Sequence, residues 1–164
     1  MHKLSLLLFS TVLISIVALA HESMAQTGTA QSKTGTRLIT LGTSGGPPPR
    51  AGRAQSSNLL TVNGTHYVIY AGDGVARRIA KSGINVRDIG TIFITHHHDD
   101  HTAGLGTLMS VAWDNQRTRP INVYGPPQTE ALVKAAVQYY SISAEIRIAD
   151  GGALSSHRSA LLGS

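Results

Sequence analysis

Apolar positions fall into short blocks separated by glycine- and proline-rich breaks, and the first block differs from all the others. Leu4–Ala20 (LSLLLFSTVLISIVALA) is almost wholly apolar and follows the basic Lys3. Small-x-small sites at Ala18-Leu19-Ala20 and Ser23-Met24-Ala25 come next, so residues 1–25 read as a secretory signal peptide cut after Ala20 or Ala25. An uncleaved anchor is the competing reading, but the run is at the lower limit for crossing about 30 Å of hydrocarbon. Membrane contact is therefore expected only through that segment, and the mature chain is expected to be periplasmic or secreted. Gln26–Thr36 is polar, rich in Thr, Ser, Gly and Gln, and reads as a flexible lead-in.

From Arg37 the pattern becomes that of a folded domain. Arg37–Leu41 is a short apolar run stopped by Gly42, which predicts a buried strand. Gly42-Thr43-Ser44-Gly45-Gly46-Pro47-Pro48-Pro49 tolerates neither helix nor ladder and must be loop. Asn58–Val62 and Thr65–Ile69 flank Asn63-Gly64, a strong hairpin signal. Val75–Ser82 predicts a helix stopped at Gly83, and Thr91–Thr95 (TIFIT) a β-branched buried strand. Ala103–Trp113 fits a helix, Ile121–Tyr124 a strand and Gln128–Tyr140 a helix. The order β, hairpin, α, β, α, β, α makes residues 37–148 an α/β domain, followed by a low-complexity tail over 149–164.

Composition narrows the chemistry. Hydrophobic residues at 41% and charged residues at 14% exclude a disordered acidic chain and a coiled coil. The absence of cysteine excludes a disulfide framework, a Cys-ligated zinc finger, an iron–sulfur cluster and a thiol nucleophile. A formal charge of +5 permits anionic substrates without requiring them. Half of the eight histidines lie within six positions, His96-His97-His98-Asp99-Asp100-His101, directly after the TIFIT strand.

That cluster has the donors a divalent cation needs. Zinc accepts imidazole nitrogen and carboxylate oxygen at about 2.0–2.2 Å. Histidines at i and i+2 on an extended strand end point to the same side, so His96 and His98 can share one ion. As the chain turns, Asp100 and His101 can reach a second. Two metals about 3.5–4 Å apart activate water and stabilise a developing oxyanion. A solvated polar turn is the plainer reading, but it does not account for a position between a buried strand and a helix. His97 and Asp99 alternate with the ligands and are read as hydrogen-bonding or outward-facing neighbours. Arg50, Arg53, Arg77 and Arg78 are either an anion-holding group or a dispersed solvated surface. His66 is read as an exposed hairpin residue. Trp113, Tyr139 and Tyr140 are read as helix-packing residues, since no basic-aromatic alternation marks a base-stacking platform.

The H-x-H-x-D-H pattern of His96, His98, Asp100 and His101 resembles the signature of the metallo-β-lactamase superfamily. Leu41-Gly42-Thr43-Ser44-Gly45-Gly46-Pro47, with Arg50, Arg53 and Ser56-Ser57-Asn58, is similar to the start of its tRNase Z and arylsulfatase-like branch, as is the turn Ala71-Gly72-Asp73-Gly74. The resemblance implies the N-terminal part of a metallo-β-lactamase αββα sandwich with a two-zinc site between its sheets. It also implies that Asp100 passes the proton of the attacking water as well as binding metal.

Two departures stand out. The residue before Ala71 is usually aspartate in this branch and is Tyr70 here. The family's later ligands, a third histidine, a bridging aspartate and a last histidine, have no clear counterparts: only His157 follows His101, in a glycine- and serine-rich stretch. The domain therefore reads as incomplete. An apolar sheet face, on strands such as TIFIT and INVY, is expected to be left uncovered. The function expected from these readings is an exported, metal-dependent hydrolase of phosphate, sulfate or carboxylic esters. Its partner is then a small anionic or ester substrate. Because precursor tRNA is absent outside the cytoplasm, nucleic acid is not expected as a partner. A tRNase Z-like ribonuclease, a β-lactamase, an inactive fragment and a homo-oligomer that shares ligands are the alternatives. Export is checked by mass spectrometry of the N-terminus in a bacterial host: a mature chain starting at His21 or Gln26 is expected, and an intact Met1 on a cytosolic product refutes it.

Overall fold

The computed structural model describes residues 34–151 of the chain. The segment read as a signal peptide, most of the lead-in, and His157 lie outside the described residues. The described part is a five-stranded sheet in the order β1-β2-β3-β4-β5. Its strands are β1 (Thr36–Gly42), β2 (Ser57–Val62), β3 (Thr65–Ile69), β4 (Thr91–Phe93) and β5 (Asn122–Tyr124). The first three are antiparallel, whereas β3, β4 and β5 run parallel. This order follows from the connections: two residues suffice to reverse an antiparallel pair, whereas a parallel pair needs a crossover, here helical. Asn63 (φ 47°) and Gly64 (φ 81°) both take the positive φ that the tight β2–β3 turn requires.

The pleat sorts side chains into two faces. The row Ile39, Leu59, Val68, Ile92 and Val123 crosses all five strands in register. Leu59, Val68 and Ile92 in that row have no exposed surface and belong to the core cluster. Helices cover this side: α1 (Val75–Lys81) through Val75 and Ile79, α3 (Leu105–Asp114) through Leu105, Leu108, Met109 and Ala112, and α4 (Thr129–Ala149) through Val133, Val137 and Ala144. The row Thr40, Asn58, Ile69, Phe93 and Tyr124 faces the opposite way. There Phe93 is 39% and Tyr124 56% exposed, and they stack at 5.5 Å. The uncovered apolar face expected from TIFIT and INVY is thus made by Phe93 and Tyr124, while Ile92, Ile94 and Ile121 are buried.

Three expectations are corrected. The helix predicted over Ala103–Trp113 is present as α3 but starts at Leu105, and a separate short helix, α2 (Asp99–Thr102), precedes it; Gly104, between the two, donates its N–H to Ala71 O at 2.8 Å. The last helix continues past Tyr140 to Ala149, since Ala144 reaches the core and Arg147 pairs with Asp114 at 3.0 Å. Tyr139 does not reach the core: it is 77% exposed and meets only the edge of the Tyr140 ring at 5.0 Å among the described ring contacts, whereas Trp113 is buried and Tyr140 lies over Gly106.

Arg117 locks the turn before β5. Its guanidinium donates to Arg87 O at 2.8 Å and Pro120 O at 2.7 Å, and burial, with Arg119 nearby, lowers its pKa. Two carbonyls 33 residues apart in sequence are thereby satisfied by one rigid fork, which a lysine cannot reproduce. Arg117→Lys is expected to destabilise the fold by about 1–3 kcal/mol through the unmet carbonyl, read from chemical denaturation midpoints.

Candidate metal centre

The site is built where β3 and β4 end side by side. Tyr70 N donates to Phe93 O at 2.9 Å and Ile94 N to Tyr124 O at 2.8 Å, so the sheet holds the chain until just before the histidines. Thr95–His98 then leaves the sheet without regular structure and α2 starts at Asp99. Asp99 Oδ1 accepts the Asp100 N–H at 2.9 Å, and Thr102 Oγ1 donates to His98 O at 3.1 Å, closing this short helix on itself. Ala71 N donates to His101 O at 2.8 Å, tying the helix to the end of β3.

Four side chains gather in the resulting recess. The His96 ring lies 4.8 Å from that of His98 and 4.3 Å from that of His101. His101 Nε2 is 3.4 Å from Asp100 Oδ2. Asp100 is only 5% exposed, and Gly46 N donates to its Oδ2 at 2.8 Å. His96, His98, Asp100 and His101 thus form one cluster in which His101 is as close to His96 as His98 is, rather than two separate pairs. Its donors are those of a divalent transition-metal site. His101 Nδ1 is buried without a hydrogen-bond partner among the described residues, as suits a nitrogen left for a cation. Among the described residues, however, no three such donors are already arranged to enclose an ion.

The neighbours fall where the alternation placed them. His97 Nε2 meets Thr129 Oγ1 at 2.9 Å, away from the cluster, and braces the loop against the start of α4. His66 is not the exposed hairpin residue expected: it is half-buried, because its ring bonds across the hairpin to Thr61 Oγ1 at 2.8 Å. Arg78 is not a free cation: its Nε donates to Leu41 O at 2.7 Å. Arg50 and Arg53 are exposed at a tight turn closed by Arg53 N to Arg50 O at 3.2 Å.

Two contributors were not legible in the sequence, and a third lies in the segment expected to be plain loop. That third is Gly46, which has φ 78° and gives its amide N–H to the Asp100 carboxylate. Gln55 is buried and joins two loops, donating from Nε2 to Pro47 O at 3.3 Å and accepting the Asp73 N–H at 3.0 Å. Thr95 Oγ1 lies 3.0 Å from both His96 Nδ1 and the Tyr70 hydroxyl. A hydroxyl beside a histidine is the only advance signal for the last.

Comparison with known proteins supplies the kinship. Residues 36–136 match the family model described as anti-Pycsar protein Apyc1. Ribonuclease Z of Methanococcus aeolicus is 34% identical over 114 residues, 68% of this chain and 35% of its own length. The short form of human tRNase Z superposes with a TM-score of 0.55 at 30% identity, covering 65% of this chain and 39% of that one. The metallo-β-lactamase-fold protein YhfI from Bacillus subtilis superposes with a TM-score of 0.52 at 19% identity, covering 61% and 40%, and supports the fold alone. The chain spans 28% to 40% of the length of the ribonucleases Z it matches. The expectation that set nucleic acid aside is corrected by these relatives, which are named as nucleases of RNA. It rested on the segment read as a signal peptide, a reading that bears on location and not on what a site of this chemistry can cleave.

Two glycines let the site close. A Cβ on Gly72 would strike the Asp100 carbonyl, and one on Gly104 would strike the Gly72 carbonyl. Neither obstacle is a flexible side-chain end, so the backbone itself would have to move. Gly72→Ala is expected to cost about 1–3 kcal/mol of stability and to displace α2, with the loss read from thermal unfolding and the displacement from amide chemical shifts at residues 99–102.

Proposed function

The chain belongs to the family described as anti-Pycsar protein Apyc1, in the tRNase Z branch of the metallo-β-lactamase superfamily, and on that premise we propose that it carries the metal-binding part of a phosphodiester hydrolase, with RNA among its substrates. The observation that carries the reading is the gathering of His96, His98, Asp100 and His101 at the end of the sheet. These residues would hold zinc. Zinc bound there would supply Lewis acidity toward a phosphoryl oxygen and a more acidic water. Asp100 is buried and pinned by the Gly46 amide, so its carboxylate stays aimed into the cluster, where it can accept a proton from water. His101 Nε2 lies 3.4 Å from the same Oδ2 that accepts the Gly46 N–H, which leaves Oδ1 without a contact to either. Arg50 and Arg53, on the same β1–β2 loop as Gly46, are exposed cations suited to a polyanionic backbone.

Phosphodiesters take precedence over sulfate esters, carboxylic esters and β-lactams because the relatives that match are ribonucleases Z. A catalytic zinc normally has three protein ligands and one open position. Among the described residues four donors fall short of two such sets, so slow turnover is expected of this domain by itself.

Zinc content of the purified chain, beside a His96→Ala/His98→Ala variant, tests the site. Bound zinc is expected in the first and little or none in the second; equal content overturns the assignment. A panel of chromogenic phosphodiester, sulfate ester and β-lactam, together with a structured RNA, tests the substrate class. Phosphodiester or RNA cleavage is expected to exceed the others and to fall about 100-fold or more in Asp100→Asn. Preference for the sulfate ester or the β-lactam refutes the phosphodiester reading.

A further inference from the structure

Tyr70 has φ +65°, in the left-handed region that favours glycine. It is held there from both sides: its own N–H goes to Phe93 O at 2.9 Å and the next N–H, of Ala71, goes to His101 O at 2.8 Å. The reversal swings its side chain off the sheet and onto the metal loop. Its ring lies edge-on to His101 with centroids 4.5 Å apart, and 6.2 Å from His96. Its hydroxyl is 3.0 Å from Thr95 Oγ1, and that same oxygen is 3.0 Å from His96 Nδ1.

We propose that Tyr70 and Thr95 are a positioning pair that fixes the His96 imidazole, engaging Nδ1 and leaving Nε2 for the cation. The proposal rests on the reading of the cluster as a metal centre. A ligating histidine generally gives its second ring N–H to a fixed acceptor, and a carboxylate is a common one. Here no carboxylate occupies position 70. Thr95 Oγ1 accepts the Nδ1–H instead, and its own hydrogen goes to the Tyr70 oxygen. Two neutral hydroxyls in series thus do by geometry what one anion does by charge. The tyrosine ring adds a second constraint, since its edge-on contact with His101 sets the spacing of that imidazole as well. The pair orients a ligand and touches no reacting atom.

Tyr70→Phe removes the hydroxyl and keeps the ring, Thr95→Val removes the acceptor, and Thr95→Ser retains it. Because Thr95 is exposed, its variants leave the core intact. Zinc affinity is measured by competition with a chromophoric chelator, and the His96 tautomer in the metal-free protein by long-range nitrogen–proton NMR. Thr95→Val is expected to weaken zinc about 10-fold or more, with a smaller loss in Tyr70→Phe and affinity near the native value in Thr95→Ser. The double variant is expected to lose no more than Thr95→Val alone, because both residues act through one chain of hydrogen bonds. His96 is expected in the Nδ1–H form in the native chain and in mixed form in Thr95→Val. Native zinc affinity with an unchanged tautomer in both single variants overturns the pair. If the native chain takes up no zinc, the metal-centre reading fails, and an unchanged His96 tautomer in Thr95→Val then rejects the pair on its own.

Discussion

The close approach of backbone to backbone at Ala71-Gly72 is the constraint on which the rest of the site depends. Ala71 gives its N–H to His101 O and accepts the Gly104 N–H, both at 2.8 Å, so the end of β3 is stitched to the C-terminal end of α2 and the residue that leads into α3. No side chain is interposed, because Gly72 and Gly104 have none. A four-residue helix has too few internal hydrogen bonds to persist alone. Here its position comes from the strand beside it. That in turn sets Asp100 within reach of Gly46 and His101 against Tyr70.

The same logic of borrowed order extends outward. Gly46 lies on a loop that Gln55 ties to both Pro47 and Asp73, so the amide facing Asp100 is held by contacts remote from the cluster. His97, the histidine pointed away, fastens the opposite end of the loop to Thr129. The scaffold around the donors is made of amides, hydroxyls and ring edges.

Among the described residues the sheet is covered on one side only. Its inner row is buried against three helices, and its outer face presents Phe93 and Tyr124 in a stack that continues to Tyr67 at 6.3 Å. The chain spans 28% to 40% of the ribonucleases Z it matches, so much of their length has no counterpart in the aligned part. An apolar aromatic strip of this kind is what a second layer would cover in a two-sheet sandwich.

What the sequence determined by itself is whatever depends on neighbours in the chain. Asn63-Gly64 specified its turn because those two residues reach positive φ at little cost, and Gly83 (φ 82°) ended α1 for the same reason. TIFIT announced a strand, though only Thr91–Phe93 of it joins the ladder and Phe93 faces outward, and the H-x-H-x-D-H spacing announced the donor cluster, since both patterns are complete within a few residues. The tertiary structure alone decided the break at Gly104, the continuation of α4 to Ala149, and the link from Tyr70 through Thr95 to His96. Each depends on a partner far along the chain: Gly104 on Ala71, Arg147 on Asp114, Tyr70 on Thr95. Position 70 shows the difference most plainly. In the sequence it is a missing carboxylate; in the fold a left-handed backbone turns a tyrosine hydroxyl toward a ligand it could not reach from a regular strand.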